Sequence, residues 1–522
     1  MTGSVTFPTV ASLLLSRSDD ERPGLRFEDE TWTWRQHVEE SARRAALLQA
    51  RRVDGPFHVG LLLDNVPDFS FFLGAAALAG AVVVGINPTR RGVELEHDIR
   101  HTDCQVLVTD QEHVTLLEGL DVPPVLLTED LDLPPAAEPI EPGTAPEDLF
   151  MLIFTSGTSG APKAVRCTNQ KITLPGRHLT QGFSIGPDDV CYVAMPLYHS
   201  NAVMAGWSVA LTAGATIALR RKFSASGFLP DVRRYGVTYF NYVGKPLSYI
   251  LATPVAPDDT DNTLRLAFGN EAADRDIDRF AERFGCIVVD GFGSTEGGIT
   301  VSRTPDTPPG SIGKPAPDSA IVDPEGNPCP PARFGADGEL LNAEEAIGEM
   351  VNTAGAGMFE GYYLNHDADE DRLRRGWYWS GDLAYADEAG FYYFAGRTAD
   401  WLRVDGENFA AAPVERILAR HPDVLLATVY GLPAPDGIGD AVMAALMLRP
   451  GTSFNPDEFA AFLSRQPDLG TKWAPRYVRV AATLPQTETN KILKRVLIRE
   501  GTACDPVWVR PGRELAYIKL DN

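Results

Sequence analysis

The stretch FTSGTSGAPKAV, Phe154 to Val165, holds two Gly-bracketed Ser/Thr turns followed by a Pro-Lys pair. It offers a phosphate loop N–H groups, hydroxyls and one cation, with glycines that let the backbone close around oxygens. The helix-opening nucleotide loop, G-x-x-x-x-G-K-[ST], does not fit it. Counted from Gly157, Pro162 stands where the second Gly belongs and Ala164 where the metal-binding hydroxyl belongs. The run Phe150 to Phe154 before the loop is apolar, and AVRCT after it alternates apolar and polar residues. That pattern predicts a strand–loop–strand hairpin with no helix dipole behind the anion. Thr155, Ser156, Thr158, Ser159 and Lys163 are then the phosphate-holding groups, with Gly157 and Gly160 as the points where the chain can fold closely.

Outward from the hairpin, short β-branched runs alternate with Ala/Leu-rich helical patterns: VLVTD, CYVAMP, TIALR, then RDIDRFAERFG before CIVVDGFG. This is an α/β pattern, with helices covering sheets. The Pro-rich stretch Val122 to Pro146 reads as a connecting loop. Past Asp387 the chain turns to short strands around turns, then to a smaller α/β pattern with VERILARHP, LLATVYGLP and PDEFAAFLSRQ. A domain boundary is expected close to Arg397, dividing 1–396 from 397–522. The uncharged run Phe69 to Ile86 is long enough to suggest a membrane span. Gly80, however, divides it into an Ala/Leu half and a Val half, and Asn87-Pro88 ends it, so a buried helix, a tight turn and a buried strand are expected.

A formal net charge of −24 over 522 residues argues against a nucleic-acid partner, which requires clustered cations to displace counterions. Six cysteines stand far apart with no C-x-x-C pair, which fits neither a zinc site nor a disulfide framework but does fit reduced thiols in the cytoplasm. The first residues lack the basic and apolar regions of a secretory leader.

Four further segments carry chemistry. DGFGSTEG, 290 to 297, is a turn leaving a strand, where Glu296 can hold magnesium and Phe292 can stack on a base. WYWSGDL places Asp382 after a Gly turn, where a carboxylate can accept both hydroxyls of a ribose. GRTADWLRVDGEN brings Arg397, and LPQTETNKILKR sets Lys491 at a loop-to-helix junction. With TSGTSGAPK, these five segments resemble, in order and spacing, the adenylate-forming superfamily of acyl-CoA synthetases, luciferases and adenylation domains. MPLYHSNAVMAGW, NYVGKPLSYILATP, LRLAFGNE and DPVWVRPGRELAYIKL add a finer likeness to the fatty-acid-transport-protein-like acyl-CoA synthetases.

The resemblance implies a large N-terminal domain of layered α/β subdomains that binds ATP and substrate, and a small mobile C-terminal α/β domain. It implies that a carboxylate attacks the α-phosphorus of ATP, and that CoA then takes the acyl group. The 155–163 loop is expected on the β/γ-phosphates, Thr295 on the α-phosphate, and Glu296 on magnesium. Gly269, Asn270, Glu271 and Phe292 are expected around adenine, Gly293 and Ser294 among the ATP-binding residues, and Asp382 with Arg397 on the ribose. Lys491 is the expected bridge between the substrate carboxylate and the α-phosphate. Ala399 stands at the family's hinge, and Gly406 is expected to line the CoA tunnel. His199, Asn201, Trp207, Asn241, Tyr242 and Lys245 are expected to shape the acyl pocket. The same ATP machinery serves diazotases, which activate nitrite for an aromatic amine and need no CoA; the motifs alone do not separate the two.

Overall fold

The structure, a computed structural model, describes residues 8–155, 162–272, 274–304, 306–335, 340–397, 401–404, 407–435, 439–466, 469–470, 472–487, 492–504, 506–512 and 514–520. Two compact units emerge from its packing: Met1–Asp290 with Met358–Glu370, and Gly291–Gly357 with Asp371–Asn522. The boundary expected near Arg397 falls inside the second of these.

The first unit carries two sheets. One has six strands in the order Val125–Leu127, Cys104–Thr109, His58–Leu62, Val82–Gly85, Leu149–Thr155 and Lys163–Thr168. The first five are parallel, and the last turns back antiparallel on its neighbour. The other runs Ile287–Gly291, Leu266–Asn270, Tyr239–Val243, Val190–Val193, Thr216–Leu219, Pro23–Phe27 and Glu30–Thr33. Strands such as His58–Leu62 and Tyr239–Val243 are buried at every position, as expected of sheets covered on both faces.

Local sequence explains the helices. Thr33 and Gln36 form a capping box at the start of Trp34–Gln49, whose buried side includes Trp34, Val38, Ala42, Ala45 and Leu48. The uncharged run resolves as expected: helix Pro67–Ala79 opens on a proline, stops at Gly80 with φ 65°, and is followed by strand Val82–Gly85. Among the described residues, no helix is long and apolar enough to cross a membrane. The Pro-rich stretch differs from a plain connector, because Val125–Leu127 pairs onto Cys104–Thr109. The prolines at 123 and 124 precede the strand, and an edge position spares the sheet the N–H groups they lack.

In the second unit, Ser319–Val322, Gly348–Asn352, Trp377–Ala386 and Leu373–Arg374 form an antiparallel sheet, joined by Tyr392–Arg397. Trp401–Val404 pairs with Glu407–Ala410. A further sheet runs Val424–Pro433, Asp440–Leu448, Tyr477–Val480, Val507–Val509 and Ile518–Lys519, and packs with Ala411–Ala419 and Pro456–Ser464 around Val414, Leu418, Val429, Leu446, Phe459 and Leu463.

Candidate active site

The sequence-selected residues fall into two groups, one in each unit. In the first unit, Leu149–Thr155 and Lys163–Thr168 make the expected hairpin, with Thr155 opposite Lys163. Ser156, Gly157, Thr158, Ser159 and Gly160 lie outside the described residues. Lys163 is buried, with its ammonium 5.2 Å from the centre of the Tyr362 ring. Such a cation–aromatic contact steadies a charge without neutralising it. Tyr362 reaches this place because Gly361–Tyr363 pairs with the outer edge of the hairpin: Arg166 N donates to Gly361 O (3.0 Å) and Tyr363 N to Ala164 O (2.8 Å).

The strands Tyr239–Val243 and Leu266–Asn270 are parallel, with Tyr242 opposite Gly269 and Val243 opposite Asn270. Polar groups collect beyond their carboxyl ends, where α/β sheets form binding crevices. Gly269 permits a close approach, since a Cβ there would stand 2.3 Å from the Tyr242 carbonyl oxygen. Glu271 follows with φ 67°, a left-handed conformation that a non-glycine residue adopts at a cost. The buried Tyr242 hydroxyl donates to Asp290 (2.8 Å), which also accepts from Ala272 N (3.0 Å).

Facing this strand is the segment that carries MPLYHSNAVMAGW. The His199 ring caps the Asn201 N–H at 3.4 Å. Asn201 Nδ2 donates to the Tyr242 carbonyl (2.9 Å), and Asn241 Nδ2 donates to Asn201 Oδ1 (2.7 Å). Val203–Trp207 then winds as a π-helix, a widened turn often found at functional sites. Tyr239 satisfies the Ala205 carbonyl of that turn at 2.6 Å. Trp207 is fully buried and its indole N–H donates to Ser70 Oγ (2.9 Å), which bonds in turn to His37 Nε2 (2.8 Å). Burial depresses His37 to about 3, so the ring stays neutral. Lys245 sits half-buried at the start of helix Pro246–Leu251.

In the second unit, the turn holding Phe292, Gly293, Ser294, Thr295 and Glu296 is braced by Ser294 Oγ accepting from Gly297 N at 3.2 Å. Thr295 is buried and Glu296 half-buried. The Phe292 ring lies 6.1 Å from that of Phe394. Asp382 does not follow a turn: it lies within the strand Trp377–Ala386. Gly381, with φ 74°, kinks that strand while its N–H donates to the Glu349 carboxylate at 2.7 Å. The kink is a bulge, which re-aims the next side chain. Asp382 pairs across the sheet with Arg397, and their side chains meet at 3.4 Å. Lys491, Ala399 and Gly406 lie outside the described residues. Glu349, Tyr362 and Asp290 were not singled out from the sequence, although each holds a singled-out neighbour in place.

Two α/β units with polar groups gathered at strand ends and bulges are the architecture of an α/β enzyme that acts on small molecules. The chain belongs to the AMP-binding enzyme family, whose model matches residues 16–363, and the AMP-binding enzyme C-terminal domain matches residues 413–491. It is 53% identical to the medium/long-chain-fatty-acid–CoA ligase FadD17 of Mycobacterium tuberculosis, over 96% of this chain and 99% of that one. It is 52% identical to the steroid-22-oyl-CoA synthetase of Rhodococcus jostii, over 97% and 93% of the two chains. Among solved structures, the o-succinylbenzoate CoA synthetase of Bacillus subtilis with its acyl-adenylate matches with a TM-score of 0.77 and 26% identity, over 93% of this chain and 97% of that one.

Proposed function

We propose that this AMP-forming acyl-CoA ligase acts on apolar aliphatic acids, with medium- and long-chain fatty acids as its first substrates. The observation that carries the reading is the nearly end-to-end likeness to a ligase named for such acids. The second relative, named for a steroid-22-oyl group, extends the class to bulkier apolar acids. Both relatives are CoA enzymes by name, which favours CoA over nitrite and an amine as the second reactant.

In the first half-reaction a carboxylate oxygen bonds to the α-phosphorus of ATP, and the bond to the β-phosphate breaks to release pyrophosphate. Positioning and charge neutralisation do most of this work. Lys163 and the 155–160 loop hold the β/γ-phosphates, and Asp382 accepts the ribose hydroxyls with Arg397 keeping its carboxylate in place. Phe292, Gly293, Ser294 and the 269–271 turn flank adenine. Glu296, beside the Thr295 hydroxyl, offers hard oxygen donors that suit magnesium, which when bound offsets phosphate charge. Lys491 draws the carboxylate and the α-phosphate together. In the second half-reaction the CoA sulfur bonds to the acyl carbon and AMP leaves, with residues 397–522 turning about Ala399 so that Gly406 lines the pantetheine path. The acyl group lies along His199, Asn201, Asn241, Tyr242 and Lys245, with Trp207 behind them. A cytoplasmic setting agrees with six cysteines that stand outside any disulfide.

AMP release, followed across fatty acids, aryl acids, and aminobenzoates with nitrite, each with and without CoA, tests the reading. Turnover that requires both CoA and a fatty acid is expected. Turnover that requires nitrite and an amine, and ignores CoA, would overturn it.

A further inference from the structure

The loop between Met195 and His199 is held from outside its own sheet. Asn65, just past the strand His58–Leu62 of the six-stranded sheet, donates from Nδ2 to Met195 O and accepts at Oδ1 from Leu197 N, each at 2.8 Å. A single carboxamide thus reads both backbone polarities of a loop 130 residues away. Asn65 is buried at 3% exposure, so neither bond competes with water. Its base is fixed as well. The adjacent Asp64 pairs with Lys222 Nζ (3.1 Å) and lies 3.6 Å from His113 Nε2, while His113 Nδ1 meets Asp110 at 2.6 Å. The three acidic side chains Asp64, Asp110 and Glu112 are answered here by the chain's own cations.

A second restraint comes from the next strand of the same sheet. Gly85 ends Val82–Gly85, and a Cβ on it would stand 2.9 Å from the Cα, Cβ and O of Tyr198. That distance is inside van der Waals contact and involves backbone, which cannot swing aside. The loop therefore approaches one strand end through a missing side chain and is bonded to the other through a carboxamide. Within the loop, His199 N donates to Pro196 O at 2.9 Å, so a shift at Leu197 or Tyr198 carries to the imidazole.

We infer that Asn65 and Gly85 are positioning residues for the acyl pocket: together they set the height of Tyr198 and His199 over the strand Tyr239–Val243, and so the room left for the acid. This rests on the reading above that places the acyl group along His199. Neither residue touches substrate; both act through the loop.

The test measures kcat, and KM for the acid and for ATP, over fatty acids of increasing length in Asn65→Leu, Asn65→Asp, Gly85→Ala and His199→Ala. In Asn65→Leu the acid KM is expected to rise about tenfold, the worth of one to two buried hydrogen bonds. The preferred chain length moves with it and the ATP KM holds. Asn65→Asp keeps the acceptor for Leu197 N and is expected to recover part of the loss. Gly85→Ala is expected to shift chain-length preference in the same enzyme that binds ATP normally. If Asn65→Leu does not fold, Asn65→Asp and Gly85→Ala carry the same readout. An acid KM and chain-length order that stay fixed in these variants while His199→Ala changes them would overturn the inference, as would an ATP KM that moves in step. If His199→Ala is also silent, the placement of the acyl group on this loop falls instead.

Discussion

The side chains assigned to the nucleotide and those assigned to the acyl group are supported in different ways. Lys163 and Asp382 sit on antiparallel strand pairs, Leu149–Thr155 with Lys163–Thr168 and Trp377–Ala386 with Tyr392–Arg397. Their cross-strand neighbours, Thr155 and Arg397, lie only a hairpin away in sequence. Tyr242 stands instead near the end of a parallel strand, with His199 and Asn201 on the short helical segment that packs against it, and this wall is fixed by bonds from distant segments: Asn201 to Tyr242, Tyr242 to Asp290, and Asn65 to Met195 and Leu197. A hairpin sets its own backbone register, so each charged group on it needs one outside support, Tyr362 beside Lys163 and Glu349 behind the bulge that aims Asp382. A wall at parallel strand ends depends on its buried polar network, which makes it sensitive to changes far from substrate.

That contrast breaks most visibly at the charged groups. Lys491→Ala is expected to lower adenylate formation by ~10²–10³, the range for losing one transition-state contact. Thioester formation from supplied acyl-AMP should survive, and equal loss in both half-reactions would remove Lys491 from the first. Asp382→Ala takes away a charged acceptor and should raise the ATP KM by about 10- to 100-fold with the acid KM little changed. Equal movement of the two constants would erase the distinction between the groups.

Changes in the wall sharpen the contrast through stability. Tyr242→Phe leaves Asp290 with the Ala272 N–H and without its hydroxyl donor. A loss of about 1–3 kcal/mol in urea unfolding is expected, with the ATP KM unmoved. A further effect is on pH dependence. The hydrogen bond to Asp110 and the nearby Asp64 raise His113 from its usual 6.5 to about 9. A raised base stabilises the fold fully below about pH 6.5 and loses that contribution as pH climbs through about 9. His113→Gln should flatten the stability profile over that window, and an unchanged slope would remove the imidazolium from the Asn65 support.

The hairpin, the helix–turn–strand at 67–85 and the alternating α/β pattern were legible because each is set by residues close together in sequence. Gly80 with φ 65° ends its helix where the composition changes, a local rule. Asp382 was legible as a residue but not as a conformation, because the bulge at Gly381 depends on Glu349, which reaches it from the neighbouring strand. Asn65, Gly85 and Tyr362 left no signal in their own surroundings, since their partners lie in other elements and only the folded topology joins them.

The most direct test of activation through an acyl-adenylate is exchange of labelled pyrophosphate into ATP, with dodecanoate and without CoA. Exchange that depends on the fatty acid, needs no CoA and is lost in Lys491→Ala is the expected result. Exchange that is absent until CoA is added, or that proceeds without any acid, would contradict it.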